Sequence, residues 1–209
     1  MKQLISLLLA LTLAVGLAAC GSASDNTPET TETPTASTEG LTEDTLAPVE
    51  TPEPNEATTV LSTIWAAVPE ENRFFAMGGD LNSMVNNDAG NYSLEDEGLT
   101  ASLLVPADQI ANLSCASSVM HGMLQNNFTC GVYKMAEGAD AAAFADAMKA
   151  SIANAQWICG MPEKLVIAII DGEYVLAAYG INDAIAPFET ALRSTYADAD
   201  VKYSEAIAG

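Results

Sequence analysis

The alternation of apolar and polar positions divides the chain into three stretches. Residues 4–17 are almost wholly apolar, residues 21–57 contain few apolar side chains, and apolar and polar positions alternate from residue 58 onward. An apolar run of about 14 residues is short for a spanning helix, which needs roughly 20, and is typical of a signal-peptide core. We predict a signal peptide over 1–19, a lipidated cysteine and linker over 20–57, and one domain over 58–209.

Three segments of the domain have apolar residues at helical spacing. The first covers 58–68, with Thr58 or Thr59 as its N-cap and Pro69 after its end. The second covers 139–157 and begins after Asp140, a favourable N-cap residue. The last follows Asn182 or Asp183, either of which could cap it, and its apolar stripe is Ile185, Phe188, Leu192 and Tyr196.

Strands are predicted where β-branched and aromatic residues cluster between turn residues. We expect short strands over 99–105, 128–135 and 201–203, the last at a sheet edge. Asp171-Gly172 separates the apolar runs 165–170 and 174–179, and this pattern predicts a β-hairpin that is covered on both faces. The segment 107–124 has helical spacing but several serines, so helix and strand both stay open.

The order of these elements predicts an α+β fold. From Phe128 onward it is β-α-β-β-α-β, the ferredoxin-like pattern. Residues 58–127 would form an N-terminal elaboration of helix and loop, and residues 80–98 within it read as a polar loop.

The net charge of the chain limits the classes of macromolecule that it could bind. The chain has 28 acids and 7 bases, a net charge of −21. Such a field repels nucleic acid, and we expect no nucleic-acid partner. The linker 21–57 has nine acids, no base, many threonines and five prolines, so it cannot bury enough apolar surface to fold, and we predict that it is disordered.

The apolar run ends in Leu17-Ala18-Ala19-Cys20, which resembles the lipobox of bacterial lipoproteins. The resemblance implies cleavage before Cys20 and a lipid on its sulfur. We therefore expect the protein to be attached to the extracytoplasmic face of the cell membrane through the lipid on Cys20.

The remaining cysteines are Cys115, Cys130 and Cys159. The strand 128–135 and the helix after it have similar lengths, about 26 and 27 Å, so the end of the helix should return near the start of the strand. We predict a disulfide between Cys130 and Cys159, which would add roughly 3–4 kcal/mol of stability, and a free thiol at Cys115.

Catalytic and metal-binding patterns are weak. His121 is the only histidine, and a strand would hold it roughly 20 Å from Cys115, while a helix would place the two on different faces. The oxygen-rich segment after Asp80 has Met84 where an EF-hand loop needs a ligand, and no Cys-x-x-Cys is present. We predict no catalytic set, no metal and no cofactor.

Several short sequence segments resemble those of a family of uncharacterised lipoproteins of Gram-positive anaerobic bacteria. They extend over most of residues 73–204, and they are Gly78-Gly79-Asp80, Met120-His121, Asn127-Phe128-Thr129, Asn154-Ala155-Gln156-Trp157-Ile158-Cys159-Gly160-Met161-Pro162 and the hairpin with Tyr174. The resemblance supports the lipoprotein and α+β interpretations and implies no catalytic or ligand residues.

The prediction that follows is a membrane-anchored, non-catalytic binding or interaction module. Its partner would be a protein, a wall polymer or a small ligand, with Asp80, His121 and Trp157 as candidate contacts. The alternative is a hydrolase-like extracytoplasmic enzyme, with a site between the 73–98 loop and the 157–162 turn.

Overall fold

The computed structural model describes residues 52–158 and 160–207. The predicted signal peptide, Cys20, the predicted linker up to residue 51, and Cys159 lie outside them. The helices and strands are α1 (Glu56–Ala67), β1 (Ala76–Gly78), β2 (Val85–Asn86), β3 (Gly90–Tyr92), α2 (Gly98–Ala101), β4 (Leu113–His121), β5 (Phe128–Met135), α3 (Ala141–Ala153), β6 (Lys164–Ile170), β7 (Tyr174–Gly180), α4 (Asn182–Thr195) and β8 (Asp200–Ala206).

The fold is α+β, built on an eight-stranded antiparallel sheet. The strand order is β2-β1-β4-β5-β7-β6-β8, and β3 pairs with β4 beside β1. The order β5-β7-β6 matches the first three strands of a ferredoxin-like sheet, but the ferredoxin-like topology is not confirmed. In that topology the last strand would lie beside β5. Here β4 pairs with that side of β5, and β8 pairs with β6 at the far edge instead.

Helices cover both faces of the sheet, as the two-sided apolar hairpin predicted. On one face, α1 and α4 pack on Phe128, Cys130 and Val132 of β5 and on their neighbours. On the other, α3 packs on Tyr133 and on the alternate residues of β6 and β7. We refer to these as the α1/α4 face and the α3 face.

The hairpin of β6 and β7 confirms the turn prediction. Asp171 and Gly172 have φ angles of 52° and 73°, as a type I′ turn requires at its two central positions. The register pairs Ile167 with Ala177 and Ile170 with Tyr174. The edge strand β8 was also predicted, and it carries a bulge at Lys202, since Ile167 pairs with Tyr203 and the next residue of β6 pairs with Val201.

The helix boundaries correct the cap predictions for α1 and α4 and confirm the one for α3. Asn55 is the N-cap of α1, not Thr58 or Thr59, and its side chain accepts a hydrogen bond from Thr58 N at 2.9 Å. Asp140 caps α3 as predicted, with bonds from Ala142 N and Ala143 N.

At the start of α4 the capping oxygen comes from a distant residue. The N-cap residue is Ile181, and the Glu163 carboxylate accepts from Asn182 N at 2.8 Å. A carboxylate from another segment satisfies the free amide at this helix start, so the predicted local caps Asn182 and Asp183 were wrong.

Three further segments differ from the sequence prediction or resolve it. The predicted strand 99–105 is wrong, because this segment contains the short helix α2 followed by an irregular stretch. The open segment 107–124 is a 3-10 turn followed by β4. The serines that argued against a helix form hydrogen bonds across the sheet. For example, Ser117 Oγ donates to Gly90 O at 2.8 Å. The segment 80–98 contains the short strands β2 and β3.

Within residues 52–158 and 160–207, no helix combines the length and the apolar character that crossing a bilayer requires.

Candidate functional site

One end of the sheet carries the exposed apolar side chains. This is the end where β4 finishes and β5 begins. Three of these side chains, Leu81, Met123 and Ile158, are 90%, 82% and 92% exposed. Among the residues that the structure describes, the large apolar side chains that are exposed all belong to segments near this end, and we call them the apolar rim: Phe75, Leu81, Met84, Met123, Leu124, Ile158 and Met161.

Backbone contacts bring these segments together. Gly122 N, directly before Met123, donates to Phe75 O at 2.8 Å. The Asn126 side chain donates to Gly160 O at 2.8 Å, which ties the turn after β4 to the segment that carries Ile158 and Met161. Exposed apolar residues that are concentrated in one place often mark a binding surface, whereas single exposed apolar residues are common on any protein.

Two adjoining cavities lie inside this rim on the α3 face. The first, of about 300 Å³, is lined by Met77, Gly79, Asp80, Leu81, Met84, Tyr92, Asp96, Gly98, Ser102, Met120 and Gln125. The second, of about 320 Å³, is lined by Ala101, Ser102, Leu104, Gln125, Asn126, Ala155, Gln156, Trp157, Ile158 and Tyr179. Because both include Ser102 and Gln125, we treat them as one groove with a methionine pocket and a tryptophan pocket.

The methionine pocket follows from strand register. Met77 of β1 and Met120 of β4 are direct partners, so both side chains point to the same face of the sheet. Met84 is positioned just before β2, which pairs with β1. Thioether side chains adapt their shape and are polarizable, which suits them to binding surfaces.

Asp80 forms part of the wall of this pocket and also holds the wall together. Its Oδ1 accepts hydrogen bonds from Asn82 N at 2.8 Å and from Ser83 N and Ser83 Oγ at 3.0 Å. Its Oδ2 accepts from Ser93 N at 2.8 Å. Burial alone would raise the pKa of Asp80, but these hydrogen bonds outweigh it and hold the pKa below the ordinary value. Asp80 is therefore an ionised carboxylate that links the β1–β2 loop to the segment after β3.

Ser102 connects the two pockets through two buried tyrosines. The Tyr179 hydroxyl donates to Ser102 O at 2.7 Å. The Tyr92 hydroxyl is hydrogen-bonded to the Ser102 side chain. Burial raises the pKa of Tyr179 to about 12, so both phenols are neutral dipoles at physiological pH. The middle of the groove is therefore lined by hydrogen-bonded polar groups, with apolar side chains on either side.

Trp157 forms the outer wall of the tryptophan pocket. It follows the end of α3 and packs on Tyr179, with ring centroids 5.2 Å apart. Its ring is partly exposed, whereas Tyr179 is buried. The structure therefore brings the segments of Asp80 and Trp157 to one groove.

His121 lies on the other face of the sheet. Its ring stacks on Phe74 with centroids 4.8 Å apart, at the margin of an aromatic cluster that includes Trp65 and Phe128. Its Nδ1 accepts hydrogen bonds from Met123 N and Leu124 N, both at 3.2 Å. The proposal of His121 as a ligand contact beside Asp80 and Trp157 is not supported, because strand alternation places Met120, and not its neighbour, in the groove.

The described cysteines are free thiols. Cys130 is completely buried on the α1/α4 face, and Cys115 is partly buried. Burial raises the pKa of the Cys130 thiol well above the ordinary value, which keeps it protonated and unreactive. Trp157, near the predicted partner Cys159, packs on the opposite face against Tyr179. This geometry counts against a Cys130–Cys159 disulfide, although Cys159 itself lies outside the described residues.

Other features of the described chain offer less to a ligand. A depression of about 560 Å³ at the opposite end of the sheet is lined mainly by polar and backbone groups and contains the Lys134–Glu56 ion pair. In the part of the chain that the structure describes, no three His, Cys, Asp or Glu side chains are grouped so that they could hold a metal ion.

Sequence reasoning missed most of the groove. Met77, Tyr92, Ser102 and Met120 were not predicted as site residues, because they lie between 10 and 43 positions apart in the sequence. Strand pairing brings Met77, Tyr92 and Met120 together. Among the residues that were missed, a usable signal was the position of Met77 and Met84 outside the predicted helices.

No family model, curated protein or solved structure matches this chain.

Proposed function

We propose that the protein is a lipid-anchored extracytoplasmic binding module that takes a small organic ligand in the groove. The observation that carries the proposal is the pair of adjoining cavities bordered by the apolar rim. Their size lies at the lower end of the range of small-molecule sites, and their walls combine apolar side chains with polar groups.

The cell-surface part of the proposal depends on the sequence. Leu17-Ala18-Ala19-Cys20 at the end of the apolar run supports lipidation at Cys20, and the acidic, proline-containing linker after it suits a tether. The anchor would hold the domain at the extracytoplasmic face of the cell membrane.

Binding fits the groove better than the hydrolase alternative does. The enzyme alternative expects a site between the 73–98 loop and the 157–162 turn, and Asp80 of the first and Trp157 of the second line the two pockets of the groove. The Asp80 carboxylate, however, accepts four hydrogen bonds from its own loop and the segment after β3, which suits a structural part better than a general base.

Cell fractionation tests the anchor. The wild-type chain should be recovered with membranes and should release a lipid-modified peptide that begins at Cys20. A Cys20→Ser chain should lose the lipid. If both chains are soluble, or if both are membrane-bound without lipid, the anchor proposal is wrong.

Methyl NMR tests the groove. The purified full-length protein, labelled at its methionine methyl groups, is titrated with a panel of small aromatic compounds that are neutral, cationic or anionic. We expect saturable shifts at Met77, Met84 and Met120 and none at Met135, at the opposite end of β5. A panel without saturable groove shifts contradicts binding, and conversion of a panel compound by the protein favours the enzyme.

A further inference from the structure

The charges around the groove have one sign. Asp80 and Asp96 line the methionine pocket, and among the described residues that line either pocket there is no lysine, arginine or histidine. Asp96 is held in place by the bond from Gly98 N to its Oδ1, at 2.7 Å. Two carboxylates beside apolar walls have no counter-charge in the lining itself.

Tyr92 reports the resulting field inside the pocket. Its pKa is raised to about 12, first by burial and then by the negative charges of Asp96 and Asp80. Burial disfavours charge of either sign, but the part of this increase that comes from Asp96 and Asp80 reflects a negative field, which favours a cation in the adjoining space.

The uncharged walls are also suitable for a cation. The thioethers of Met77, Met84 and Met120 are polarizable, and the tryptophan pocket adds the partly exposed ring of Trp157. Aromatic faces attract ammonium groups, particularly where water is excluded. A strongly hydrated metal ion would gain little from such walls, whereas the apolar body of an organic ammonium compound would gain contacts with them.

We propose that the groove selects small organic cations, that is, ammonium compounds with an apolar or aromatic body. This inference rests on the proposed binding function and adds the class of ligand. The apolar body would lie against the methionine side chains and Trp157, and the charge would lie near Asp96 and Asp80.

A set of three probes with a common phenyl group tests the charge preference. They are benzyltrimethylammonium, benzyl alcohol and phenylacetate, titrated against the full-length protein with the methionine methyl signals as readout. We expect benzyltrimethylammonium to bind most tightly and phenylacetate most weakly. The advantage of the cation over the alcohol should decrease as the salt concentration rises, because salt screens partly exposed charges.

A matched pair of variants separates a local effect from the overall charge of the chain. Asp96→Asn removes the charge and keeps the oxygen that accepts from Gly98 N. Asp198→Asn removes one charge from an exposed turn before β8. We expect Asp96→Asn to weaken benzyltrimethylammonium binding about three- to tenfold, with little effect on benzyl alcohol, and Asp198→Asn to change neither.

The outcomes distinguish this inference from the binding function. If benzyl alcohol or phenylacetate binds the groove as tightly as the cation, or if Asp96→Asn and Asp198→Asn behave alike, the cation preference is wrong while the groove remains a binding site. If none of the three probes shifts the groove methyl signals, the cation preference is wrong, and the wider aromatic panel then decides whether the binding function also fails.

Discussion

Replacing Asp80 by asparagine should loosen the wall of the methionine pocket. The asparagine oxygen can still accept the three hydrogen bonds from Asn82 and Ser83 that now reach Oδ1, although without a full negative charge. The amide nitrogen would replace Oδ2 and would meet Ser93 N, which is also a donor. One charge-assisted bond is therefore lost and three are weakened.

The size of the effect follows from these bonds. A hydrogen bond to a charged group contributes about 1.5–3 kcal/mol, and Ser93 N loses its acceptor completely. Allowing for some relaxation of this surface loop, we expect Asp80→Asn to lower the free energy of unfolding by about 2–4 kcal/mol at pH 7. The chain should still fold, since small domains usually have stabilities of about 5–15 kcal/mol.

The dependence on pH provides a second readout. The pKa of Asp80 in the folded protein is below its ordinary value of 3.8, so its stabilising contribution is fully present above that value and is lost as the pH falls through the folded pKa. The difference between wild type and Asp80→Asn should therefore be constant above about pH 5 and should decrease in more acidic solution.

Urea unfolding followed by circular dichroism measures the change, with Asp198→Asn as the control for net charge. The reasoning is refuted if Asp80→Asn costs less than about 0.5 kcal/mol, the level of an ordinary surface substitution. It is also refuted if the difference from wild type grows as the pH falls below 4, because that trend would require a raised pKa.

Three other changes test separate parts of the structure. Trp157→Ala should weaken benzyltrimethylammonium binding about tenfold, whereas His121→Ala should leave binding unchanged and lower stability by about 1–2 kcal/mol, as measured by probe titration and urea unfolding. Gly98→Ala should destabilise the protein by about 1–3 kcal/mol in urea unfolding, because a Cβ there would collide with the Tyr92 hydroxyl. Cys130 should react with Ellman's reagent only in denaturant, and its recovery in a disulfide by non-reducing peptide mapping would contradict the structure.

The sequence predicted best the elements that are long and locally marked. The strand β5, the start of helix α3 with its Asp140 cap and the β6–β7 hairpin with Asp171-Gly172 agree with the prediction, whereas α3 ends at Ala153 and not at residue 157. In each, the apolar period and the turn or cap residues indicate the same element, so local preference and tertiary packing agree.

Features that depend on which distant segments pair with one another could not be predicted from the sequence. The side of β5 that a ferredoxin-like fold gives to its last strand is paired with β4, and no local pattern in β8 reveals that. For the same reason β4 was ambiguous, since its serines depend on partners such as Gly90 O in another strand. The groove has the same origin, because Met77 and Met120 become neighbours only through strand register.

The position of β8 at the sheet edge has a consequence for the membrane anchoring that we propose. Anchored chains share a two-dimensional surface, where their local concentration is high and an unpaired strand edge invites neighbouring copies to add to the sheet. Lys202 forms a bulge in β8 and an ion pair with Asp146, and the strand also carries the charges of Asp200 and Glu205. Bulges and charged residues interrupt continuous edge-to-edge pairing. Under the anchoring that we propose, the edge strand would thus limit sheet-to-sheet aggregation between neighbouring molecules.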